Sequence, residues 1–435
     1  MIFSNQIAII ADDLTGANDT ALQFQKRGVE TSILLDSSNI TASTTDMAVW
    51  ATSTESRNIS PAEACEKVVE TVKSISTSLN IEHFYKKIDS TVRGNIAVET
   101  LAMLTVLDMD AAVIIPAFPS EGRITVGGYH LLKGVPIGRT EMAQDPHSPI
   151  VESHIPTLLK GQLGDNENLV AHIELKTVMN GAGPILMKIN ELVKQGKKLI
   201  VADAVSIVDI EQIILAINKS GFNILTAGTA AAASVLSSVW LPDKNDYTPY
   251  VIPTLPKLII SGSATQINSN QIEKLKDSDN FDGIYEIALT QKNIIDGVSD
   301  DMVNNILGNL KQDATVLVHS SYLVDNFDGF SDDSLNAELT KTKFASRITD
   351  FLAELTEKVV SKKQVLLITL GGETSYKCCN AIDAKELKLL DEVAPAIALC
   401  IDNCGRLMIT KSGNLGNSNT LIEILKYINR HEQHV

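Results

Sequence analysis

Short apolar runs alternate with longer stretches of helical period from one end of the chain to the other. Ile7–Ala11 reads as a buried strand and Ala17–Lys26 as a helix capped by Asp13 or Thr15. Thr31–Leu35 and Met47–Ala51 are predicted strands. Pro61–Leu79 is a predicted helix, because Ser60 can accept from the free amides of the first turn and Pro61 suits the first helical position. Phe84–Ile88 (strand), Ile96–Leu107 (helix) and Ala111–Pro116 (strand) follow. Leu199–Ala202, Val208–Asn218, Ile224–Ala227 and Ala230–Ser237 then repeat the order strand, helix, strand, helix. Such alternation predicts crossover units and a mainly parallel sheet covered on both faces.

Leu241–Pro256 breaks this pattern with Pro242, Pro249, Pro253 and Pro256 among polar residues, and reads as a linker. The alternation then restarts with Lys257–Ser261, a helix from Thr265, Gly283–Ala288, a helix from Asp300 and Thr315–His319. A long helix within Asn336–Ser361 precedes Val365–Leu370, Ala396–Ile401, Arg406–Thr410 and a last helix near Thr420–Arg430. The expected fold class is α/β: two α/β domains with mainly parallel sheets and an active-site cleft between them. The expected boundaries are 1–240, a Pro-rich linker at 241–256, and 257–435.

Composition narrows the function. The 435 residues are 44% hydrophobic and 21% charged, as expected of a globular chain with a large core. The formal charge of −16 argues against a nucleic-acid or anionic-membrane partner, since both need clustered Lys and Arg. A few basic residues in one cleft can still bind a small anion. Cys65, Cys378, Cys379, Cys400 and Cys404 show no CxxC pair and read as reduced thiols. The apolar run near the N-terminus is too short for a signal peptide, and no stretch approaches the roughly 18 apolar residues of a membrane span. A cytoplasmic location is expected. A homodimer is left open.

Chemistry is expected where predicted strands end. Asp12 and Asp13 follow the first strand and could bind hydroxyls, hold a metal or take a proton; alternatively, Asp13 only caps the next helix. Thr54-Glu55-Ser56-Arg57 follows another strand. In Lys86-Lys87-Ile88-Asp89-Ser90-Thr91-Val92-Arg93-Gly94, Lys87 and Arg93 can bind a carboxylate, while Asp89 and Ser90 can read hydroxyls. The alternative is a solvated loop with an internal Asp–Arg pair. Pro116–Pro149 is long and rich in Gly and Pro, holds Arg123, Arg139 and His147, and reads as a binding loop.

Three turns in the second half point to phosphate: Ser261-Gly262-Ser263, Gly371-Gly372-Glu373-Thr374, and Gly413 to Gly416. A strand–Gly–helix turn presents free amides and a helix dipole to an anion. No GxxxxGK[ST] is present, and no GxGxxG follows the first strand, so neither a P-loop nor a standard dinucleotide fold is expected.

In order and combination, IADDLTGANDT, TESR, KKIDSTVRGN, GYHLLKGVPIGRTEMAQDPHSPI, SGSATQ, LGGETS and ITKSGNLG resemble the four-carbon acid sugar kinase family, from residue 8 to residue 416. Leu14 and Leu415 stand where members often carry an aromatic residue. The resemblance implies a sugar-acid-binding domain followed by a nucleotide-binding domain. It implies ATP as cosubstrate, with Mg²⁺ carried on it, and D-threonate or D-erythronate as acceptor, with TESR, KKIDST and DPHSPI most like the D-threonate branch. A 3-oxo-tetronate is the alternative within the family; an NAD-dependent sugar-acid dehydrogenase or a non-catalytic sensor is the alternative outside it.

Carried over, the acidic pair is Asp12 and Asp13, the substrate arginine is Arg57, and the lysine segment is Lys87, Ile88, Asp89 and Ser90. ATP is implied at Ser261, at Gly371 to Thr374, and at either Gly413 or Gly416. On this reading Lys87 and Arg57 hold the carboxylate, Asp12 and Asp89 bind hydroxyls, and one carboxylate, with Asp13 the candidate, accepts the O4 proton.

Overall fold

The apolar runs are strands buried along their length: Ile7 to Ala11 and Ala111 to Ile115 have no exposed surface. The computed structural model describes residues 6–36, 47–144, 148–241, 249–278, 283–321, 323, 331–332, 337–338 and 341–432. The chain divides into two units, Met1–Tyr247 and Thr248–Val435.

In the first unit the strands are β1 (Gln6–Ala11), β2 (Thr31–Leu34), β3 (Val49–Ser53), β4 (Ile81–Lys87), β5 (Ala111–Ile115), β6 (Arg123–Val126), β7 (Tyr129–Leu132), β8 (Val135–Pro136), β9 (Val170–Ile173), β10 (Leu199–Ala202) and β11 (Ile224–Gly228). The helices are α1 (Leu14–Gln25), α2 (Pro61–Ser78), α3 (Ile96–Val106), α4 (Ile155–Leu163), α5 (Leu175–Val178), α6 (Ala182–Lys194), α7 (Ile207–Asn218) and α8 (Ala230–Trp240). The main sheet runs β2-β3-β1-β4-β11-β5-β10-β9 with every neighbour parallel. Connections leave β1 toward β2 and β3 on one side, and β4 lies on the other. The order therefore reverses at β1, which makes the crevice beyond its carboxyl end the natural ligand position. Val68, Val72 and Ile75 of α2 pack with Trp50 and Ile10 in the core. Ser60 and Glu63 close a reciprocal capping box at the start of α2, so the chain enters it as the Ser-Pro signal predicts.

The long Gly- and Pro-rich connection is only partly a loop. Within it β6, β7 and β8 form a small antiparallel sheet, which the sequence pattern did not announce. Its turn at Gly127 and Gly128 is held by the Asp203 carboxylate, which accepts both amides at 2.7 and 2.9 Å and also meets His172 Nε2 at 2.8 Å. His147 lies outside the described residues.

The second unit contains β12 (Lys257–Ser261), β13 (Ile284–Ala288), β14 (Thr315–His319), a short ribbon of β15 (Ser331–Asp332) and β16 (Ala337–Glu338), then β17 (Leu366–Leu370), β18 (Glu386–Ala394), β19 (Ile397–Asp402) and β20 (Leu407–Lys411). Its helices are α9 (Gln266–Lys276), α10 (Gln291–Asp296), α11 (Asp300–Asn309), α12 (Lys341–Val360), α13 (Gly372–Ala381) and α14 (Thr420–His431). The sheet order is β13-β14-β12-β17-β20-β19-β18. It is parallel from β13 to β20, and β19 runs antiparallel to both its neighbours. The strand order reverses at β12, again marking a strand end for ligands.

Of the predicted Pro-rich linker, residues 242–248 lie outside the described residues. Beyond them Ile252 is fully buried in the core of the second unit, and its amide bonds to the His431 carbonyl at 2.8 Å. The five cysteines are free thiols, and burial pushes Cys378 and Cys400 up to about 12. Among the described residues no helix is long and apolar enough to cross a membrane.

Candidate functional site

Three parallel strands deliver the polar residues of the first unit to one place. Asp12 follows β1, Thr54 to Arg57 follow β3, and Ile88 to Arg93 follow β4. The Arg57 guanidinium is the hub. Its Nε and Nη2 donate to the two oxygens of Asp12 at 2.7 and 3.1 Å. Its Nη1 meets Asp13 Oδ2 at 2.5 Å and its Nη2 lies 3.5 Å from Asp89 Oδ1. Burial opposes the charge on Arg57, yet Asp12, Asp13 and Asp89 outweigh it and hold the group firmly protonated. Burial likewise opposes the Asp12 carboxylate, but Arg57, Lys86 and Lys87 keep it below its ordinary range.

Asp89 takes a second guanidinium. Arg93 Nε and Nη2 donate to it at 2.9 and 3.1 Å, and Thr91 Oγ1 at 2.5 Å. Against the cost of burial, Arg93 and Arg57 hold Asp89 well below the carboxylate range. The Asp–Arg pair foreseen as an alternative thus exists, but it is buried beside Arg57 rather than solvated. Asp13 is the N-cap of α1, accepting from the Gly16 amide at 2.7 Å, so it both caps the helix and faces Arg57.

Lys87, 4% exposed, donates to the Ile88 carbonyl at 2.7 Å. Two of its three ammonium hydrogens are free for other acceptors by that bond alone. The Ile88 side chain belongs to the core, so it serves this segment through its backbone. The Ser90 carbonyl faces His130 Nε2 at 3.0 Å, and His130 Nδ1 lies 3.1 Å from Thr125 Oγ1. A carbonyl only accepts, so Nε2 carries the proton and Nδ1 accepts from the threonine. Burial lowers His130 to about 4, which keeps the ring neutral in that role. Val92, a β-branched residue, is held at φ 60° just past this turn.

A second layer fixes these groups. Lys86 and Glu99, 0% and 1% exposed, pair at 2.6 Å, and Ser56 Oγ donates to Glu99 at 2.8 Å. Glu55, at φ 45°, accepts from the Leu14 amide at 2.9 Å and the Ser53 hydroxyl at 2.6 Å. Burial raises Glu55 to about 7. Asn95 binds the Ser56 and Ile59 carbonyls, and Gln162 binds the Gly94 carbonyl. A cavity of about 250 Å³ opens along this layer, with Arg57, Asn95 and Gln162 in its wall.

In the second unit the three predicted turns meet. Ser261 ends β12 and its hydroxyl accepts from Asn268 Nδ2 at 2.7 Å. A Cβ on Gly262 would lie 2.4 Å from Thr374 Oγ1, so the first turn packs its glycine against a side chain of the second. Gly371, at φ 115°, is left-handed and its amide bonds to the Lys411 carbonyl at 2.8 Å. Gly372 opens α13, and Glu373 on the same first turn pairs with Lys377 at 3.1 Å. A Cβ on Gly413 would lie 2.1 Å from Ser263 Oγ, and the Gly413 carbonyl accepts from Thr265 Oγ1 at 2.9 Å. Gly416 instead packs on Thr420 at the start of α14. Gly413 is therefore the glycine that joins the Ser261 turn.

The sequence assigns no individual role to Glu99, Glu55, His130, Asp203 or Lys411, although Glu55 and Lys411 lie within motifs it singles out. Glu99 had a signal, a lone acid in the otherwise apolar IAVETLAM helix. Asp203 and His130 reach the site only through the antiparallel sheet, for which the pattern gave no warning.

Two mainly parallel α/β units result, one gathering both signs of charge at its strand ends and the other gathering amides and hydroxyls. The model of a sugar-binding N-terminal domain matches residues 7–236, and that of a nucleotide-binding C-terminal domain matches residues 258–421. The chain belongs to the four-carbon acid sugar kinase family. It is 28% identical to a D-erythronate kinase of Heliobacterium modesticaldum, covering 98% of this chain and 97% of that one. It is 27% identical to a D-threonate kinase of Salmonella typhimurium (97% and 98%) and 25% identical to a 3-oxo-tetronate kinase of Haemophilus influenzae (94% and 97%). The fold matches a solved Haemophilus influenzae protein with a TM-score of 0.71 at 23% identity, over 97% of this chain and all of the other.

Proposed function

We propose that the protein is an ATP-dependent kinase that phosphorylates the 4-hydroxyl of D-threonate or D-erythronate to the 4-phosphate. The observation that carries this reading is the convergence of Asp12, Arg57, Lys87 and Asp89 beyond β1, β3 and β4. A polyhydroxylated acid needs cationic donors for its carboxylate and anionic acceptors for its hydroxyls, and this cluster holds both. Ser90 and Arg93 extend it. Kinship with kinases of D-erythronate, D-threonate and 3-oxo-tetronate supports the substrate class.

In the reaction O4 attacks the γ-phosphorus, the bond to the β,γ-bridging oxygen breaks, and ADP leaves. A loose transition state asks little covalent help, so positioning and charge neutralisation dominate. The O4 proton passes to a carboxylate of the cluster, for which Asp13 is proposed. The turns at Ser261 to Ser263, Gly371 to Thr374 and Gly413 are the proposed phosphate cradle. Asp12, Asp13 and Asp89 engage guanidinium and amide donors, so Mg²⁺ is proposed to ride on the phosphate oxygens.

The test is a panel. Purified protein with MgATP is offered D-threonate, D-erythronate, 3-oxo-tetronate and threitol, with ADP release followed and the product ester assigned by phosphorus NMR. Turnover with one tetronate and a primary phosphate ester is expected. No ADP with any tetronate, together with a nicotinamide absorbance change when NAD replaces ATP, would overturn it in favour of a dehydrogenase.

A further inference from the structure

Among the described residues four lysines are buried: Lys86 and Lys257 form ion pairs, whereas Lys87 and Lys411, each ending a strand, do not. Lys86 has Glu99 at 2.6 Å and Lys257 has Glu432 at 2.7 Å. Lys87 donates to the next residue's carbonyl beside Asp12, whose charge it helps to hold. Lys411 repeats that geometry without the acid. It ends β20, is 1% exposed, and donates to the Ser412 carbonyl at 2.7 Å. Among the described residues no carboxylate forms an ion pair with it.

We propose that Lys411 is a phosphate ligand of the nucleotide site, its ammonium taking a non-bridging oxygen of the β- or γ-phosphate of ATP. The inference rests on the nucleotide reading given above and adds a residue to it. Its location follows from three contacts. The Lys411 carbonyl accepts from the Gly371 amide at 2.8 Å, and Lys411 lies opposite Leu370 in the parallel register of β17 and β20. Its ammonium sits on the carbonyl of Ser412, the residue before Gly413. The Gly413 carbonyl in turn holds Thr265 Oγ1 at 2.9 Å. Lys411 is thus the cation placed where the three turns come together.

The physical argument is the cost of leaving it there unpaired. An ammonium hidden from water without an anion is strongly disfavoured, and a methionine would fill the same space without penalty. Burial draws Lys411 down to about 7, so with no anion beside it the ammonium gives up its proton near neutral pH. A polyphosphate supplies the missing negative charge and acceptors for the remaining ammonium hydrogens. Amide turns alone attract an anion weakly. A desolvated cation beneath them discriminates a polyphosphate from an uncharged nucleoside.

The experiment measures ATP and adenosine binding calorimetrically on wild type, Lys411→Met and Lys411→Gln, with thermal melting of each unliganded protein. Glutamine keeps a donor for the Ser412 carbonyl and removes only the charge. ATP affinity is expected to fall about 10- to 100-fold in both variants. Adenosine affinity should stay within about twofold, because adenosine makes no phosphate contact. The unliganded variants should melt no lower than wild type. ATP binding unchanged in folded variants overturns the role of Lys411 and leaves the nucleotide site standing. Equal losses for ATP and adenosine, or failure of both variants to fold, make the lysine structural and also overturn it. Wild type that binds neither compound removes the nucleotide reading itself.

Discussion

The two units solve the same placement problem with opposite electrostatics. Each gathers loops at the carboxyl ends of parallel strands where strand order reverses, and each ends a strand with a buried lysine that donates to the next carbonyl at 2.7 Å. The first unit then surrounds its cations with acids: Lys86, Lys87, Arg57 and Arg93 stand among Asp12, Asp13, Asp89 and Glu99. In the second, Lys411 meets the Ser412 carbonyl and the Gly371 amide, and Thr265 joins the neighbouring Gly413. A sugar acid presents one carboxylate and several hydroxyls, so its site needs donors and acceptors together. A triphosphate presents only acceptors, so its site needs donors alone. The protein's charge of −16 makes the second arrangement the more telling, since nothing in the bulk composition favours a bare cation.

The largest test asks whether the acids of the first unit are structural. Glu99→Leu leaves Lys86 at zero exposure without its partner. Removing one member of a buried pair costs about 3–5 kcal/mol. Urea unfolding should show a loss of that size, and the double variant Lys86→Met with Glu99→Leu should recover most of it. A loss below about 1 kcal/mol, the range of an exposed pair, would mean that solvent reaches Lys86 and that the acids there are not needed for folding.

Next comes the carboxylate contact. Lys87→Ala should lose about 1.5–3 kcal/mol of charge-assisted binding, or about 10- to 150-fold in kcat/KM for the tetronate. ATP affinity should barely move. Threitol, which lacks the carboxylate, should lose much less. Equal losses for tetronate and threitol would show that Lys87 does not read the carboxylate, and a loss of ATP binding instead would reverse the two sites.

Much of this contrast was legible in the sequence because local rules decide it. Strands buried on both faces leave continuous apolar runs, and Ser60-Pro61 marks a helix start that needs no tertiary context. Asp12, Arg57 and Asp89 stood out because charged residues directly after such runs fall at strand ends. What was missed depends on partners far along the chain. Lys86 and Lys87 look equivalent in sequence, yet strand alternation gives Lys86 the Glu99 carboxylate and leaves Lys87 on the Ile88 carbonyl. The strand at Glu386–Ala394 alternates buried and half-buried residues, a period of two that was written in the sequence and passed over among its charges. Lys411 was read as part of a turn motif. Only the absence of an ion pair around it in three dimensions sets it apart.

A smaller effect tests the second unit. Gly413→Ala places a methyl against Ser263 Oγ, and overpacking of this kind costs about 1–3 kcal/mol. Steady-state kinetics should show a higher KM for ATP and an unchanged KM for the tetronate. Gly416→Ala crowds Thr420 instead and, at φ 85°, strains the backbone. It should lower the melting temperature more than it raises the KM for ATP. The reverse pattern would move the nucleotide contact from Gly413 to Gly416.

The finest test concerns Glu55, an acid of the first unit that burial raises rather than lowers. Glu55 is fixed by the Leu14 amide and the Ser53 hydroxyl, and burial lifts it from 4.5 to about 7. Its folded pKa lies above its unfolded one, so between those values the folded state binds more protons. Stability from this group is complete below pH 4.5 and is lost as pH rises to about 7. His130 acts in the opposite sense: burial drops it from 6.5 to about 4, so its contribution is lost as pH falls through that window. The raw pH profile of stability is therefore muted, and the two effects must be separated by difference. Glu55→Gln keeps an acceptor for Leu14 and Ser53 and removes the titration. Subtracting its unfolding free energies from those of wild type should leave a curve that falls by about 1–3 kcal/mol from pH 4.5 to pH 7. A flat difference would show that Glu55 titrates as it does in water. Glu55 would then join Asp12 and Asp89 as an anion, and the contrast with the second unit would be sharper still.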